Sequence, residues 1–381
     1  MSTTHVRKQI MKALIEEIKA ISDGVAHELR YRSFNDPSNK WITRSALQKA
    51  IRRNELEVAL KCTEYMLGTD EEYYWHSMSI IAIEDIGPTD PKLITYCTAM
   101  GTSSVVRKQV GDSRALAYTL VKAACEGTKT RACCEVSLAA EVGYRELGKS
   151  IYAMSEAELI KTLDPASIIF GNMKEDVYAM YYALGIIRGK IGGYDGLFAK
   201  RTKSEASVEE VMKLFDKVMS VEHAEAAKIS YEKVRDTMFL AYHPVLAALS
   251  ASDLEEVDDV MPEVITLKTL PSYAFDMHTQ KGKTALKAFY TNLKKRYPLV
   301  ASISPDNGGG ALGAAVFVEE GGLERRRITS PLLKDLKDAQ DETFIISKGV
   351  RKEDVAELRE IVRKEIPVLN QKRKWAVEQL Q

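Results

Sequence analysis

Residues 45–91 read SALQKAIRRNELEVALKCTEYMLGTDEEYYWHSMSIIAIEDIGPTDP, and this stretch decides the fold class. Its apolar residues recur three and four positions apart, which is the spacing of an amphipathic helix. Asn54 followed by Glu57 is typical of a helix N-terminus with a capping box. Asp90-Pro91 is typical of an N-cap and a first helical residue. We therefore predict two helices joined by a short cap, a third helix that ends in the sequence EDIG, and a fourth helix that begins at Pro91.

The chain has 381 residues, enough for two or three ordinary domains or one large helical assembly. It contains 54 Lys and Arg residues and 54 Asp and Glu residues, so its formal net charge is zero. This balance argues against bulk electrostatic attraction to nucleic acid, although it permits a local basic face.

Five cysteines, two of them adjacent at Cys133 and Cys134, form no even framework and no CxxC spacing. Such cysteines are typical of a reduced intracellular protein with buried thiols. Residues 1–21 are charged throughout and lack the apolar core of a signal peptide, and no apolar run approaches the length of a membrane span. We expect a cytoplasmic protein that does not associate with membranes.

Helix signals dominate the rest of the chain, so we predict an all-α fold, a multi-helix bundle. The exception is residues 299–323, where glycine clusters flank β-favouring residues and predict a small β-hairpin or a glycine loop. We divide the chain into an N-terminal helix and linker (1–40), a first helical region (41–150), a second helical region (151–298), and the glycine loop with C-terminal helices (299–381).

Two short motifs partly match nucleotide-binding loops. A P-loop needs GxxxxGK[ST], and Gly282-Lys283-Thr284 supplies only its end, because Met277 occupies the earlier glycine position. Residues 308–313 match GxGxxG, but no strand precedes them in a mainly helical region, so a flexible glycine loop is the simpler interpretation. We predict no P-loop ATP hydrolysis, no cofactor and no metal ion.

Three basic clusters stand out in this neutral chain, and we predict that they contact nucleic acid through phosphates. They are Arg44, Lys49, Arg52 and Arg53; Lys281 and Lys283; and Arg325, Arg326 and Arg327. In the first cluster the residues from Lys49 onward lie opposite the apolar stripe of their predicted helix, so we expect them on its outer face. The alternatives are a solvated helix face or a subunit interface.

Glu84 and Asp85 lie near the predicted C-terminus of the third helix, where carboxylates interact unfavourably with the helix dipole. We expect an Arg or Lys of a neighbouring helix to compensate them, so that the two acids form a structural ion pair or a subunit contact. A metal site is the alternative, but it would need further oxygen ligands that the sequence does not identify.

Residues 276–284, DMHTQKGKT, contain many polar and charged side chains within nine positions. One interpretation is acid–base catalysis by Asp276, His278 and Lys281, with the carboxylate orienting the imidazole. A second interpretation is phosphate binding by Lys281 and Lys283. A third is a structural turn that leads into a helix over residues 285–296. The basic surface continues along that helix with Lys287, Lys294, Lys295 and Arg296.

The stretch ALQKAIR (46–52) resembles the first collar helix of the RarA/MgsA family of replication-associated AAA+ proteins. Residues 81–87 are similar to the Ala/Ser-Glu-Asp-Ile-Gly signature of that collar, and DMHTQKG (276–282) is similar to a segment of its longer relatives. The resemblance implies an all-α collar over 41–150 that drives oligomerisation, commonly into tetramers. Family members act at stalled replication forks, near single-stranded-DNA-binding protein. The ATPase core that precedes the collar in the family has no counterpart here, so we do not expect motor function.

We therefore expect an oligomeric, non-ATPase binding or assembly factor of DNA replication or repair. Its expected partners are further copies of itself, DNA, and replication proteins such as single-stranded-DNA-binding protein. The first alternative is an enzyme that acts on a nucleic-acid base or a phosphorylated ligand through Asp276, His278 and Lys281. The second is a structural oligomer or protein–protein adaptor with no affinity for DNA.

Overall fold

The computed structural model describes residues 15–17, 20, 40–166, 173–189, 205–232 and 236–379. The helix and linker predicted for residues 1–40 therefore fall almost wholly outside the described part of the chain. The described part is mainly α-helical with two short antiparallel strand pairs, which confirms the predicted all-α class. No described helix is both long enough and apolar enough to cross a membrane.

The described chain begins with a long series of helices. They are α1 (Lys40–Arg52), α2 (Leu56–Thr69), α3 (Glu71–Ile81), α4 (Pro91–Thr102), α5 (Ser104–Val110), α6 (Arg114–Glu126), α7 (Ala132–Gly143), α8 (Arg145–Tyr152), α9 (Glu156–Thr162), α10 (Met173–Arg188), α11 (Glu205–Val218), α12 (Val221–Glu232) and α13 (Tyr242–Ser250). A π-helix over Ala82–Ile86 continues α3, and a 3₁₀ turn over Gly87–Thr89 leads into α4.

The strands and the remaining helices follow. They are β1 (Glu255–Val257), β2 (Thr266–Leu267), β3 (Leu270–Pro271), α14 (Gln280–Leu293), α15 (Pro298–Ser302), α16 (Pro305–Val316), β4 (Arg327–Thr329), α17 (Pro331–Ile346) and α18 (Val355–Gln379). A second π-helix over Phe317–Gly321 continues α16. Strand β1 pairs antiparallel with β4, so that Val257 lies opposite Arg327, and β2 pairs with β3 in a short hairpin.

Most helix starts in the opening stretch follow the local capping chemistry. The Asp90 carboxylate accepts the backbone N–H of Leu93 at 2.9 Å, with Pro91 in the first turn, as predicted. The cap of α2 differs from the prediction, because Glu55 is its N-cap residue. Asn54 instead has a left-handed backbone conformation, with φ of 58°, and its side chain accepts a hydrogen bond from Lys129.

The glycine-rich segment 299–323 is helical, so the hairpin or glycine loop predicted there is corrected. Its residues form α15, α16 and the second π-helix. Gly308 packs against Tyr290, and a Cβ at this glycine would lie only 2.4 Å from the Tyr290 ring. Gly313 packs in the same way against Met277. These glycines allow close helix packing, and that tertiary contact outweighs their weak helix propensity.

Apolar side chains form two buried clusters. The first is built mainly by α1–α13 and includes Trp75 and Met78, so it spans the boundary predicted at residue 150. The second is built by α14–α18 and includes Phe289, Leu312 and Val362. Removal of these side chains from water is the main driving force for the fold. The polar residues described next lie where elements of the two clusters meet.

Candidate functional site

The two π-helices bring carboxylates into the interior. Ala82–Ile86 carries Glu84 and Asp85, and Phe317–Gly321 carries Glu320. Asp85 and Glu320 are almost fully buried, with 0% and 1% of their surface exposed. Short π-helical segments inside α-helices occur frequently at functional sites, so the space between these two segments is the first candidate site.

Arg52, at the end of α1, joins the two π-helices. Its Nε donates to Asp85 at 2.6 Å, and one Nη donates to Glu84 at 2.9 Å. The other Nη donates to the carbonyl oxygen of Gly321. Arg131, just before α7, lies 3.5 Å from both carboxylates. Arg52 and Arg131 thus supply the positive charge that Glu84 and Asp85 were expected to need.

Burial and charge act in opposite directions on these two acids. Burial opposes ionisation of Glu84, but Arg52 and Arg131 outweigh it and hold the pKa of this carboxyl below its usual value. Burial raises the pKa of Asp85 despite Arg52, and the adjacent charge of Glu84 adds to that increase. The arrangement is a buried ion-pair cluster in which each of these charges faces an opposite charge, and Arg52 connects it to the second π-helix.

A second buried ion pair lies beside the first. The Glu320 carboxylate accepts two hydrogen bonds from the guanidinium of Arg373 on α18, at 2.8 and 2.5 Å, and both side chains are 1% exposed. Arg373 also donates to the carbonyl oxygen of Phe275 at 3.1 Å and to the side chain of Asn370 at 2.9 Å. Arg53 donates to the Glu320 carbonyl oxygen at 3.1 Å. These bonds connect α1, the second π-helix and α18.

Asp276 lies just before α14 and belongs to the same polar interior. Its carboxylate accepts hydrogen bonds from the Lys49 ammonium, from Ser45 Oγ at 2.8 Å and from the backbone N–H of His278 at 2.9 Å. Burial opposes ionisation, but Lys49 outweighs it and lowers the pKa of Asp276 to about 2. A carboxylate with so low a pKa and three donors is a weak base.

The three predicted catalytic residues do not form an acid–base unit in this structure. The Asp276 carboxylate binds the backbone of His278, and no hydrogen bond between that carboxylate and the imidazole is found among the described residues. His278 is exposed, and Lys281 lies half-buried in the first turn of α14. The geometry supports the interpretation of this motif as a structural turn more than the interpretation as a catalytic centre.

The first basic cluster does not lie on an outer helix face, which corrects the sequence prediction. Lys49, Arg52 and Arg53 are only 4%, 1% and 4% exposed, and Arg44 is half-buried. Each of the three buried cations binds an internal carboxylate or carbonyl oxygen, as described above. They present no surface to the phosphates of a nucleic acid.

The arginine run 325–327 is neutralised by acidic residues of and beside β1. Arg325 pairs with Asp258 at 3.1 Å, Arg326 with Glu256 at 2.9 Å, and Arg327 with Asp259 at 2.8 Å. These partners could not be identified from the sequence, because they lie 67 to 70 residues away along the chain. Phosphate contact by this run would require the three ion pairs to open.

The basic surface that begins with the Lys281 and Lys283 cluster is different, because most of its charges remain exposed. Lys283 and Lys287 lie one turn apart on the exposed side of α14, and Lys294 and Lys295 follow its last residue. We call these four residues the lysine face. No described carboxylate lies within 4.0 Å of their ammonium groups. This surface is the second candidate site.

Two clefts flank the lysine face. The first has a volume of about 590 Å³ and lies between α14 and the first turn of α16, where Gly309, Gly310 and Asp306 line it. The second has a volume of about 510 Å³ and lies between α14 and α18. Lys287 lines both clefts, so they form one continuous basic surface across α14.

The second cleft contains two residues that the sequence analysis did not identify. Lys372 and Trp375 line it from α18, and 45% of the Trp375 surface is exposed. A large aromatic residue within the charged sequence KRKW (372–375) was the available signal, but only the packing of α18 against α14 places it beside the lysine face.

Glu324, which follows the second π-helix, was also missed. It is fully buried, and neither carboxylate oxygen has a hydrogen-bond partner among the described residues. Burial raises the pKa of Glu324 well above its usual value, because it disfavours the charged carboxylate. Nothing in the local sequence distinguishes it from the neighbouring acids.

The charged residues of the two candidate sites therefore differ in role. The interior network of arginines and acids holds helices together, whereas the lysine face offers exposed positive charge beside an exposed aromatic ring. Comparison with known proteins adds no assignment, since no protein-family model, no curated protein and no solved structure matches this chain.

Proposed function

We propose that this protein is a cytoplasmic nucleic-acid-binding factor of DNA replication or repair and that the lysine face is where the nucleic acid binds. The observation that carries this proposal is the exposure of four lysines that have no carboxylate within 4.0 Å in the described part of a chain of zero net charge. Phosphate backbones are bound chiefly by such side chains, because each contact releases condensed counterions. Of the residues predicted from the sequence, the proposal keeps Lys283 on the lysine face and the half-buried Lys281 near it in the first turn of α14, and it sets aside the buried cations of α1.

We also propose that the protein self-associates. The resemblance of residues 41–141 to a RarA/MgsA-type collar supports self-association and a place among replication proteins, with single-stranded-DNA-binding protein as a candidate partner. Free, mostly buried cysteines are in keeping with a reducing compartment. Light scattering on the purified chain tests self-association, and a monomer at micromolar concentration would contradict it.

Charge reversal on the lysine face tests nucleic-acid binding. The variant is K283E/K287E, and the matched control is K108E/K122E, which reverses two exposed lysines on α5 and α6. Both variants change the net charge equally, so a difference between them reports position. We expect K283E/K287E to weaken binding of labelled DNA roughly 10- to 30-fold at low salt, because the two reversals change the charge by four units, at about 0.5 kcal/mol per unit.

The salt dependence provides a second readout. Loss of two phosphate contacts should reduce the slope of log affinity against log salt by about 2 between about 50 and 200 mM. The control variant should keep the wild-type affinity and slope. Wild-type protein that binds neither single-stranded nor duplex DNA at low salt would refute the proposal, and a well-defined oligomer without DNA affinity would favour a structural adaptor.

A further inference from the structure

Trp375 differs from the other two tryptophans of the chain. Trp75 is fully buried, and its Nε1 donates to Ser113. Trp41 is exposed, but its ring packs edge-on against Tyr73, with 5.2 Å between ring centroids. Trp375 is 45% exposed, and no described aromatic ring packs against it. Its indole therefore offers an open surface to a ligand.

The charges around Trp375 limit the chemistry of that ligand. The second cleft is lined by Lys287 of α14, by Lys295 just after that helix and by Lys372 of α18, and no acidic residue lines it. Lys372 lies three residues before Trp375, so the two side chains project from the same side of α18. The remaining lining residues are uncharged: Ala288, Asn292, and Thr284 and Thr291, whose hydroxyls donate to carbonyl oxygens of their own helix. The cleft thus combines one aromatic surface with three cations.

We propose that the second cleft binds an unpaired nucleobase stacked on Trp375, while the lysines around it contact the phosphates on either side. This inference rests on the proposed function and adds the class of nucleic acid: the protein selects single strands over duplexes. Bases in a duplex have both faces covered by their neighbours, so a protruding indole gains stacking only from an unpaired strand. The lysine face attracts both forms, because both carry phosphates.

The two contributions can be separated by mutation. Stacking of one base on an aromatic side chain accounts for about 5- to 150-fold in affinity when the ring is removed. Removal of the ring should weaken binding of single strands alone by this factor. It should leave the slope of log affinity against log salt unchanged, since no charge is lost. Charge reversal on the lysine face should weaken both forms and reduce the slope.

The test measures binding of the full-length protein to a labelled single strand and to a duplex of the same length by fluorescence anisotropy. W375A should weaken single-strand binding at least about 5-fold with little change for the duplex. W375F keeps an aromatic ring and should retain most of the single-strand affinity. W41A removes the other exposed tryptophan and is the matched control, which should bind as the wild type does.

Tryptophan emission gives an independent readout in the same titration. A stacked base should quench the wild-type emission as the single strand is added, and W375F should lose most of this quenching. The inference is overturned if W375A binds single strands like the wild type, or if both forms weaken equally. Wild-type protein that binds neither form would overturn the proposed function as well, so the two failures are distinguishable.

Discussion

Replacement of Arg373 by methionine tests the energetics of the buried network. Methionine fills much of the same volume, but it removes all four hydrogen bonds that the guanidinium makes, two of them to Glu320. Removal of one partner of a buried ion pair typically costs about 3–5 kcal/mol, because the other charge is left without a partner. Arg53 and Lys49 remain near Glu320. We therefore expect a loss near the lower end, about 3 kcal/mol in the free energy of unfolding.

The pH dependence of this loss has a definite sign. In the wild type, burial opposes ionisation of Glu320, but Arg373 outweighs it and holds the pKa below the usual 4.5, so the pair stabilises the fold above that pH. Without Arg373, burial should raise the pKa of Glu320 above its unfolded value. The deficit of R373M relative to the wild type should therefore be greatest at high pH. The variant should regain part of this stability as the pH falls and the Glu320 carboxyl takes up a proton. Its deficit should be larger at about pH 8 than at about pH 5.

Urea unfolding followed by far-UV circular dichroism at both pH values measures these quantities. R351M is the matched control, because Arg351 makes the same two-bond contact with Asp354 but at the surface, with 69% of its side chain exposed. R351M should change stability little. E320L/R373M should be more stable than R373M alone, since it removes the unpaired charge. A deficit for R373M below about 1 kcal/mol, or one equal at both pH values, would refute the reasoning.

Two further predictions concern packing and acid stability. G308A should destabilise the protein by about 1–3 kcal/mol, because its Cβ would lie 2.4 Å from the Tyr290 ring, whereas G310A, with its nearest contact at 3.9 Å, should be neutral or stabilising by about 0.5–1 kcal/mol. Thermal unfolding of the two variants distinguishes these outcomes, and equal midpoints would contradict the packing argument. The pKa of Asp276 is lowered from 3.8 to about 2, so its ion pair with Lys49 should contribute up to roughly 2 kcal/mol above pH 4 and lose that contribution as the pH falls toward 2. D276N should therefore be less stable than the wild type at neutral pH and should show a flatter acid dependence, and an unchanged acid profile would argue against this assignment.

Local chemistry explains why many helix starts were predictable. Asp90 caps α4, and Ser155 with Glu158 forms a complete capping box at the start of α9. These contacts join residues three positions apart, so the short stretch of sequence contains both partners. The amphipathic spacing of residues 45–91 predicted α1–α3 for the same reason.

The helix in the glycine-rich segment could not be predicted from the local sequence. Residues 308–310 are three consecutive glycines, which locally favour a loop over a helix. The partners that make the helix favourable, Tyr290 and Met277, lie on or beside α14 and become neighbours only when the chain folds. No pattern within the segment contains that information.

The candidate sites were also predictable only in part from the sequence. The sequence located the clusters of basic residues, including Lys281 and Lys283, but it could not distinguish buried cations from exposed ones. Lys49 looked exposed by helical spacing, yet Asp276 binds it from 227 residues away. The lysine face looked no more prominent than the arginine run, and it differs because no carboxylate of the described residues pairs with it.

The sequence by itself determined the helical class and the capping of several helices, because spacing and capping act within a few residues. Tertiary structure decided which charges are neutralised, since the acids that pair with Arg52 and with residues 325–327 are distant along the chain. It also decided that Trp375 lies beside the lysines of α14. A charge has the same chemistry wherever it stands in the sequence, but its hydration and its partners depend on the folded neighbours, and those determine whether it stabilises the fold or binds a ligand.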